Sequence, residues 1–428
     1  MATKRPGDLI PNPFIKNRNL EWTLTTPDPP TQASPKDALP PANPVTIVEQ
    51  SPPTTAAIES GKANVSNPLA HFTTHLKNSL SPSPTPLLPI SSYAALYTSS
   101  LTHQSSHFVI HQHDHPIAGL HYDLRLQINP SSSVSWAIMY GPPGDPNSVR
   151  LNRNATETRI HSLWNHLIET ASPETGSLLI WDTGTYTVLP RRSKHAPTTD
   201  PSSQTSSEED RPQQELLQEA FRNRKIRLQL HGSKLPETYV LNIRLTKTED
   251  AEGRAQRHKG PPRKRRRVER VEPETSSETD FNDGGEDSVI PQGKEAEGRD
   301  VSAVVDREVQ ELEDAEVRRT NAYPGASNTI GSIHQRKWYL SLDREACGFE
   351  ERREGGKTVW RLPSTSASAP PLAPKSEKDM MRRLSFPFYV RGIEHERSVV
   401  TARTGEDILR DEGVQRFIRR KGWLPVLN

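Results

Sequence analysis

The chain has 428 residues, of which 32% are hydrophobic, 39 are proline and one is cysteine, and its formal net charge is +2. This is too little apolar surface to order such a long polar chain throughout, so we expect one folded core with long disordered segments. The single cysteine, Cys347, excludes an internal disulfide framework and a cysteine-based zinc site, and it favours a reducing, intracellular compartment. The N-terminus has no apolar leader, so we expect no secretory signal. No run reaches the roughly 18 apolar residues that a membrane span needs, so we expect no such span.

The N-terminal part, residues 1–85, is rich in Pro, Ser, Thr and Asn and has no sustained hydrophobic period. This composition predicts a disordered region. Within it, only residues 69–80 have the apolar spacing of a short amphipathic helix.

Short segments with alternating apolar residues follow the N-terminal part and are typical of an antiparallel barrel or sandwich. The alternation is clear at Ile226, Leu228 and Leu230. Apolar residues at helical spacing interrupt the strands at 159–170 and 213–222. We therefore predict a mainly β fold with a few short helices. The predicted strands are 107–111, 120–128, 134–139, 177–181, 185–189, 225–231, 238–245 and 337–342.

Polar segments divide the rest of the chain. Residues 191–211 and 248–330 are predicted to be disordered insertions within a single core domain that spans 86–350. Residues 351–384 are predicted to be a linker. A tail at 385–428 is expected to regain order, with a strand at FPFYVRG and a helix that docks on the core.

The predicted helix of the tail spans 404–420 and ends in a basic stretch with flanking aromatic residues. Contact with a phosphate backbone is the alternative interpretation of this stretch. A second basic run, PPRKRRRV at 261–268, closely resembles a monopartite nuclear localisation signal. A nucleic-acid patch or a solvated charge run are its alternatives. We expect a nuclear protein that binds an import receptor through this run.

The clearest candidate site lies in FVIHQHDHPIAGLHYDLRLQI, residues 108–128. Its second half alternates strictly, so His121, Asp123 and Arg125 share one face of a strand. Together with His113, they offer two imidazoles and a carboxylate, which suit a divalent ion such as Mn, Fe or Zn. An arginine about 7 Å along the strand from the carboxylate suits a phosphate. The pattern predicts a metal-assisted phosphoester site.

Six collinear segments resemble motifs of the 3′-phosphoesterase domain of bacterial DNA ligase D and its stand-alone relatives. The resemblance covers roughly residues 90–246 and 333–350, and it implies a small closed β-barrel with the metal site on one surface. The segments are HDHPIAGLHYDLRL (113–126), SWAIMYGP (135–142), DPNSVRL (145–151), GSLLIWDTGTY (176–186), KIRLQLHGSKL (225–235) and RKWYL (336–340).

The resemblance implies which residues hold the metal. His113, His121 and Asp123 match the ligands of the family, and Mn²⁺ is the preferred candidate ion. The loop between the two histidines is two residues longer than in the family, so His111 or His115 are alternatives to His113.

The resemblance also implies catalytic roles. Arg125 matches an arginine that binds the scissile phosphate, and Arg150 matches a second candidate for phosphate binding. His161 matches a histidine that could contact a phosphate oxygen or protonate the leaving group. Two positions depart from the family, because Tyr140 replaces a lysine and Asn165 replaces a tyrosine. Both departures weaken the case for full activity.

The resemblance implies removal of a 3′-terminal ribonucleoside and of a 3′-phosphate from DNA or DNA–RNA ends. No ligase or polymerase motif is found, so we expect a stand-alone nuclear repair enzyme that works with separate ligase or repair proteins. A catalytically weakened module that binds nucleic-acid ends or a protein is one alternative. A phosphoesterase of RNA 3′ ends is another, since nothing in the sequence separates the two substrates.

Overall fold

A computed structural model describes residues 54–59, 63, 65–190, 211–246, 316–317, 319–363 and 382–427 of the protein. The basic run at 261–268 and most of the two predicted insertions lie outside the described residues. None of the described helices is long and apolar enough to cross a membrane.

Twelve strands occur in the described part of the chain. Eight of them close into a barrel in the order β1-β2-β3-β4-β10-β9-β8-β7, because β7 also pairs with β1 and every pairing is antiparallel. The closed barrel confirms the predicted mainly β fold. The strands are β1 His107–His115, β2 Gly119–Asn129, β3 Ser132–Ile138, β4 Asn152–Glu157, β5 His161–Ser162, β6 Thr170–Ser172, β7 Gly176–Val188, β8 Lys225–Gly232, β9 Val240–Leu245, β10 Lys337–Leu342, β11 Glu350–Glu354 and β12 Lys357–Arg361.

The barrel interior is filled by the apolar residues of the alternating strands. Even-numbered residues of β1 and β2 point inward, and Phe108, Ile110 and Leu124 are completely buried there. The three largest fully buried side chains also belong to this core: Trp136, Trp181 and Trp338. Because side chains alternate along a strand, the odd-numbered residues of β1 and β2 lie on the outside of the barrel.

Short helices accompany the barrel. They include α1 Thr55–Glu59, α2 Pro68–Asn78, α3 Ile90–Ser99, a 3₁₀-helix at Leu163–Leu167, α4 Gln213–Arg222 and α5 Gly405–Asp411. Several of them cover the outside of β1 and β7, where Phe72 of α2 and Tyr93 of α3 join Val109 and Ile180 in a second apolar cluster. The strands that carry the candidate site are therefore buried on both faces.

Helix α2 corresponds to the helix predicted at 69–80, and its sequence explains it. Asn67 caps the helix by accepting a 3.0 Å hydrogen bond from the backbone N–H of Ala70, and Pro68 is in the first turn, where proline is tolerated. Phe72 and Leu76 lie one turn apart and are fully buried. Helix α1 is also ordered and packs through Ile58. This helix lies in the N-terminal part that the composition predicts to be mostly disordered, so that prediction does not hold for residues 55–59.

The prediction of a helix at 159–170 is wrong, because no α-helix forms there. This segment forms β5, the 3₁₀-helix and the start of β6. The apolar residues are buried as expected, but His161 pairs with Ser133 of β3, and the N–H of Ile160 bonds to the carbonyl of Asn321. These backbone partners come from distant parts of the chain and replace the helical hydrogen bonds.

The C-terminal elements also differ from the prediction. The predicted helix at 404–420 is shortened to α5, because Gly413, just after its cap, has a positive φ of 69° that a helix cannot continue. No strand forms at FPFYVRG (386–392). The predicted linker at 351–384 instead begins with a hairpin, since β11 pairs with β12. The tail docks on the barrel, and a buried ion pair between Arg403 and Glu169 (3.1 Å) holds it there.

A buried carboxylate joins two of the sequence motifs. Asp182 on β7 accepts hydrogen bonds from the backbone N–H groups of Ser233, Lys234 and Leu235, at 2.8–2.9 Å. Gly232 must be a glycine in this arrangement, because a Cβ there would lie 2.0 Å from Asp182 Oδ2. The sequence motifs around β7 and after β8 therefore serve mainly to hold these two parts of the barrel together.

Candidate metal centre and phosphate cleft

The register of β1 and β2 places the predicted ligands side by side on the outside of the barrel. His113 lies directly opposite His121, and His111 lies opposite Asp123. All four positions are odd-numbered and share one face of the sheet. Opposite residues of an antiparallel pair have Cβ atoms about 5 Å apart, so their side chains can bind one ion.

Three of these side chains converge. His113 Nδ1 lies 3.5 Å from Asp123 Oδ2, and His121 Nε2 lies 3.3 Å from Asp123 Oδ1. The candidate ligand atoms of the three residues all lie within 4.8 Å of one another. The structure therefore assembles the predicted set of His113, His121 and Asp123.

Hydrogen bonds to the backbone fix the tautomer of each histidine. His113 donates from Nε2 to the carbonyl of Thr175, and His121 donates from Nδ1 to the carbonyl of Gly119, each at 2.8 Å. In the neutral imidazoles, the other nitrogens then point their lone pairs at Asp123. Asp123 Oδ1 is buried and has no hydrogen-bond partner among the described residues. Three electron-pair donors facing one another, each held by a backbone contact or by a neighbouring side chain, fit a divalent cation.

The charges of the site act on its pKa values. Burial alone would raise the pKa of Asp123, but the attraction of His121 and His113, when these rings are protonated and face the carboxylate, holds it well below its usual range. Burial would lower the pKa of His113, but the hydrogen bond and charge of Asp123 outweigh burial and raise it. The carboxylate is therefore ionised in the folded protein and attracts a positive charge, either a proton on His113 or a metal ion.

Arg125 follows the ligands along β2. Its Nη2 lies 3.0 Å from Asp123 Oδ2, and its Nη1 donates to Asn165 Oδ1 from the 3₁₀-helix. The side chain is only 3% exposed, and its Nε is buried without a hydrogen-bond partner in the described structure. A guanidinium fixed in this way can present an N–H to a phosphate without further loss of side-chain entropy.

A cleft of about 590 Å³ opens onto the three ligands and Arg125. His161, the predicted proton-transfer residue, also lines this cleft. Burial first, and the charge of Arg125 second, lower the pKa of His161 well below its usual range. In the absence of substrate His161 is therefore neutral and can hold or accept a proton in the cleft.

Three other predicted positions lie differently. Arg150 does not line the cleft, because it is exposed and its guanidinium stacks 5.0 Å from the centroid of the Tyr140 ring. His115 lines the edge of the cleft, but its Nδ1 accepts hydrogen bonds from the backbone of its own turn. His111 is completely buried, and burial lowers its pKa well below the usual range. Neither histidine takes the place of His113 in the cluster.

Sequence reasoning missed several residues of the cleft. Glu59 of α1, Thr175, Arg159 and Tyr323 all line it. Thr175 connects Glu59 to the candidate ligand His113. Its carbonyl accepts a hydrogen bond from His113, and its hydroxyl donates one to Glu59 at 3.4 Å. Nothing in the local sequence marks these residues, because Glu59 and Tyr323 come from segments predicted to be disordered, Arg159 from the predicted helix, and Thr175 from a connection between predicted elements.

Comparison with known protein families agrees with this geometry. Residues 111–243 match the family model of the DNA Ligase D 3′-phosphoesterase domain. This part of the chain is therefore similar to a family of phosphoesterases, which are hydrolases. The match includes the three candidate ligands, Arg125 and His161, and it ends before β10 completes the barrel. No curated protein matches the chain.

Proposed function

We propose that this protein is a metal-dependent 3′-phosphoesterase that acts on 3′ ends of DNA in nuclear DNA repair. The observation that carries the proposal is the convergence of His113, His121 and Asp123 beside Arg125 in one cleft. The proposed activities are removal of a 3′-terminal ribonucleoside and removal of a 3′-phosphate, both of which leave a 3′-OH.

His113, His121 and Asp123 would hold the divalent ion, with Mn²⁺ the preferred candidate. The ion would act as a Lewis acid on the phosphoryl group and lower the pKa of water. Arg125 would bind two phosphate oxygens and stabilise the negative charge that grows in the transition state. His161, neutral in the cleft, would hold a proton near the leaving oxygen.

The two departures from the family have different consequences for the proposal. Asn165 is in the site, where it bonds Arg125 and takes part of its hydrogen-bonding capacity. Tyr140 is outside the cleft, where it packs against Arg150. The proposed activity therefore depends on how Asn165 positions Arg125, and not on Tyr140.

The setting in the cell is part of the proposal. Entry into the nucleus would use the basic run at 261–268 and an import receptor, and separate ligase or repair proteins would use the 3′-OH product. Deleting 261–268 and following a fluorescent fusion of the chain tests the import signal. Retention of the fusion in the nucleus after the deletion would contradict it.

The first experiment measures activity on defined ends. Purified protein is incubated with Mn²⁺ and 5′-labelled primer–templates that end in one ribonucleotide or in a 3′-phosphate, and the products are resolved on a denaturing gel. We expect both ends to be trimmed by the wild type and by Arg150→Ala, which alters an exposed arginine outside the cleft. We expect no product from Asp123→Asn or without metal.

Other outcomes select among the alternatives. Trimming of the ribonucleotide with the 3′-phosphate left in place would show that only the diesterase step operates, and would point to Asn165. Activity on RNA primers alone would indicate an RNA 3′-end phosphoesterase. No product with Mn²⁺, Co²⁺ or Zn²⁺ would refute the enzyme and favour a binding module, for which the engagement of Arg125 by both Asp123 and Asn165 is the structural argument.

A further inference from the structure

One wall of the cleft comes from outside the family match. Tyr323, Pro324, Gly325 and His334 line the cleft, whereas the family model matches residues 111–243. Tyr323 is 39% exposed, so an aromatic ring faces solvent in the cleft that contains the candidate metal ligands. The sequence predicts a disordered insertion at 248–330. That prediction is wrong for the end of this range, which contains Tyr323, Pro324 and Gly325.

Backbone contacts hold this wall in place. The N–H of Ile160 donates to the carbonyl of Asn321, and the N–H of Tyr323 donates back to the carbonyl of Ile160, each at 2.9 Å. The hydroxyl of Ser162 donates to the carbonyl of Pro324 at 3.2 Å. Because these partners flank His161, the wall and the candidate proton-holding residue are parts of one backbone unit.

The surroundings of the Tyr323 ring are those of a stacking platform. The imidazole of His161 lies 4.8 Å from it between ring centroids, and the guanidinium of Arg159 lies 5.7 Å from its centroid. Nucleobases stack on aromatic rings without regard to base identity, and a nearby arginine strengthens such contacts. A ring that is fixed, accessible and adjacent to a phosphate site has the features needed to hold the base attached to that phosphate.

We propose that Tyr323, supported by Arg159, stacks on the base of the 3′-terminal nucleoside that the enzyme removes. The proposal rests on the proposed function and adds a substrate-binding residue to it. It also separates the two activities. Ribonucleoside removal engages the platform, whereas a 3′-phosphate has no nucleoside beyond the phosphate to stack.

The test compares three 3′ ends, which are a ribonucleoside, an abasic ribose joined through the same phosphodiester, and a 3′-phosphate. For Tyr323→Ala we expect kcat/KM to fall roughly tenfold on the ribonucleoside end, mainly through KM, and to stay unchanged on the other two ends. Tyr323→Phe keeps the ring and should behave as the wild type. Tyr140→Ala, which removes a tyrosine ring outside the cleft, is the matched control.

Equal losses of Tyr323→Ala on all three ends would overturn the proposal, because they would indicate a structural role. No loss on the ribonucleoside end would overturn it as well. A second readout does not depend on turnover: 2-aminopurine as the 3′-terminal base is quenched when it stacks. We expect quenching by the wild type and Tyr323→Phe but not by Tyr323→Ala. An inactive wild type that still quenches would refute the proposed function and keep the platform, whereas absence of quenching at saturating DNA would refute the platform.

Discussion

A buried pair of histidines predicts that mild acid destabilises the protein. His107 of β1 and His166 of the 3₁₀-helix are completely buried, and their Nδ1 atoms are 2.7 Å apart. The hydroxyl of Thr183 donates its one proton to the carbonyl of Phe108, so it must accept in its hydrogen bond with His107. The Nε2 atom of His107 therefore carries the proton. His107 Nδ1 must then be the acceptor and His166 Nδ1 the donor. A proton added to His107 would place two N–H groups face to face.

The size of the effect follows from the pKa of His107. Burial lowers this pKa to about 3, whereas an unfolded histidine has a pKa of about 6.5. A histidine whose pKa is lowered by folding stabilises the protein above the unfolded value, and this stability is lost as the pH falls from about 6.5 towards about 3. At 1.36 kcal/mol per pKa unit, the free energy of unfolding should fall by about 2 kcal/mol between pH 7 and pH 5 through His107 alone.

The assay is urea unfolding at pH 7 and pH 5, followed by the fluorescence of the buried tryptophans. His107→Asn keeps an acceptor near the position of Nδ1 but cannot be protonated. We expect it to be less stable than the wild type at pH 7, and to lose about 2 kcal/mol less between the two pH values. Exposed His103→Asn controls for the loss of an imidazole. A His107→Asn variant that loses as much stability as the wild type would refute the argument.

Three further predictions concern the site and the barrel. Arg125→Lys should lower kcat/KM by about 10²–10³-fold in the primer assay, since a lysine cannot replace the two-pronged guanidinium; an unchanged value would contradict its role. Saturating Mn²⁺, at about 100 times its Kd, should raise the free energy of unfolding of the wild type by about 2.7 kcal/mol but leave Asp123→Asn unchanged, as measured by urea unfolding. Gly232→Ala should destabilise the barrel by about 2 kcal/mol or more, because the new Cβ would lie 2.0 Å from Asp182 Oδ2; equal urea midpoints would argue against this.

The sequence predicts the centre of the site well because one strand carries most of it. Strict alternation in β2 is sufficient to put His121, Asp123 and Arg125 on one face. Adding His113 requires only that β1 and β2 form a hairpin, and the observed register satisfies this condition. Local sequence patterns therefore specify how the candidate ligands are arranged, because a period of two is a local property of the backbone.

Sequence reasoning fails where burial depends on distant contacts. Ile160, Leu163 and Leu167 have helical spacing and are buried, but β3 and the segment after Asn321 impose another backbone. Helical spacing therefore predicted which residues are buried and not the local conformation. Tyr323 had no signal at all, since it follows a long charged stretch and becomes part of the cleft only through backbone bonds to Ile160.

The outer face of β1 and β2 is a buried polar stripe whose two ends differ. At one end, His107 and His166 form a closed, neutral pair, and burial keeps their pKa values low. At the other end, mutual attraction raises the pKa of His113 and lowers that of Asp123, and both side chains open onto the cleft. The 3₁₀-helix joins the ends, because it carries both His166 and Asn165, the partner of Arg125. Loss of the closed pair should therefore disturb the position of Arg125 as well as destabilise the barrel.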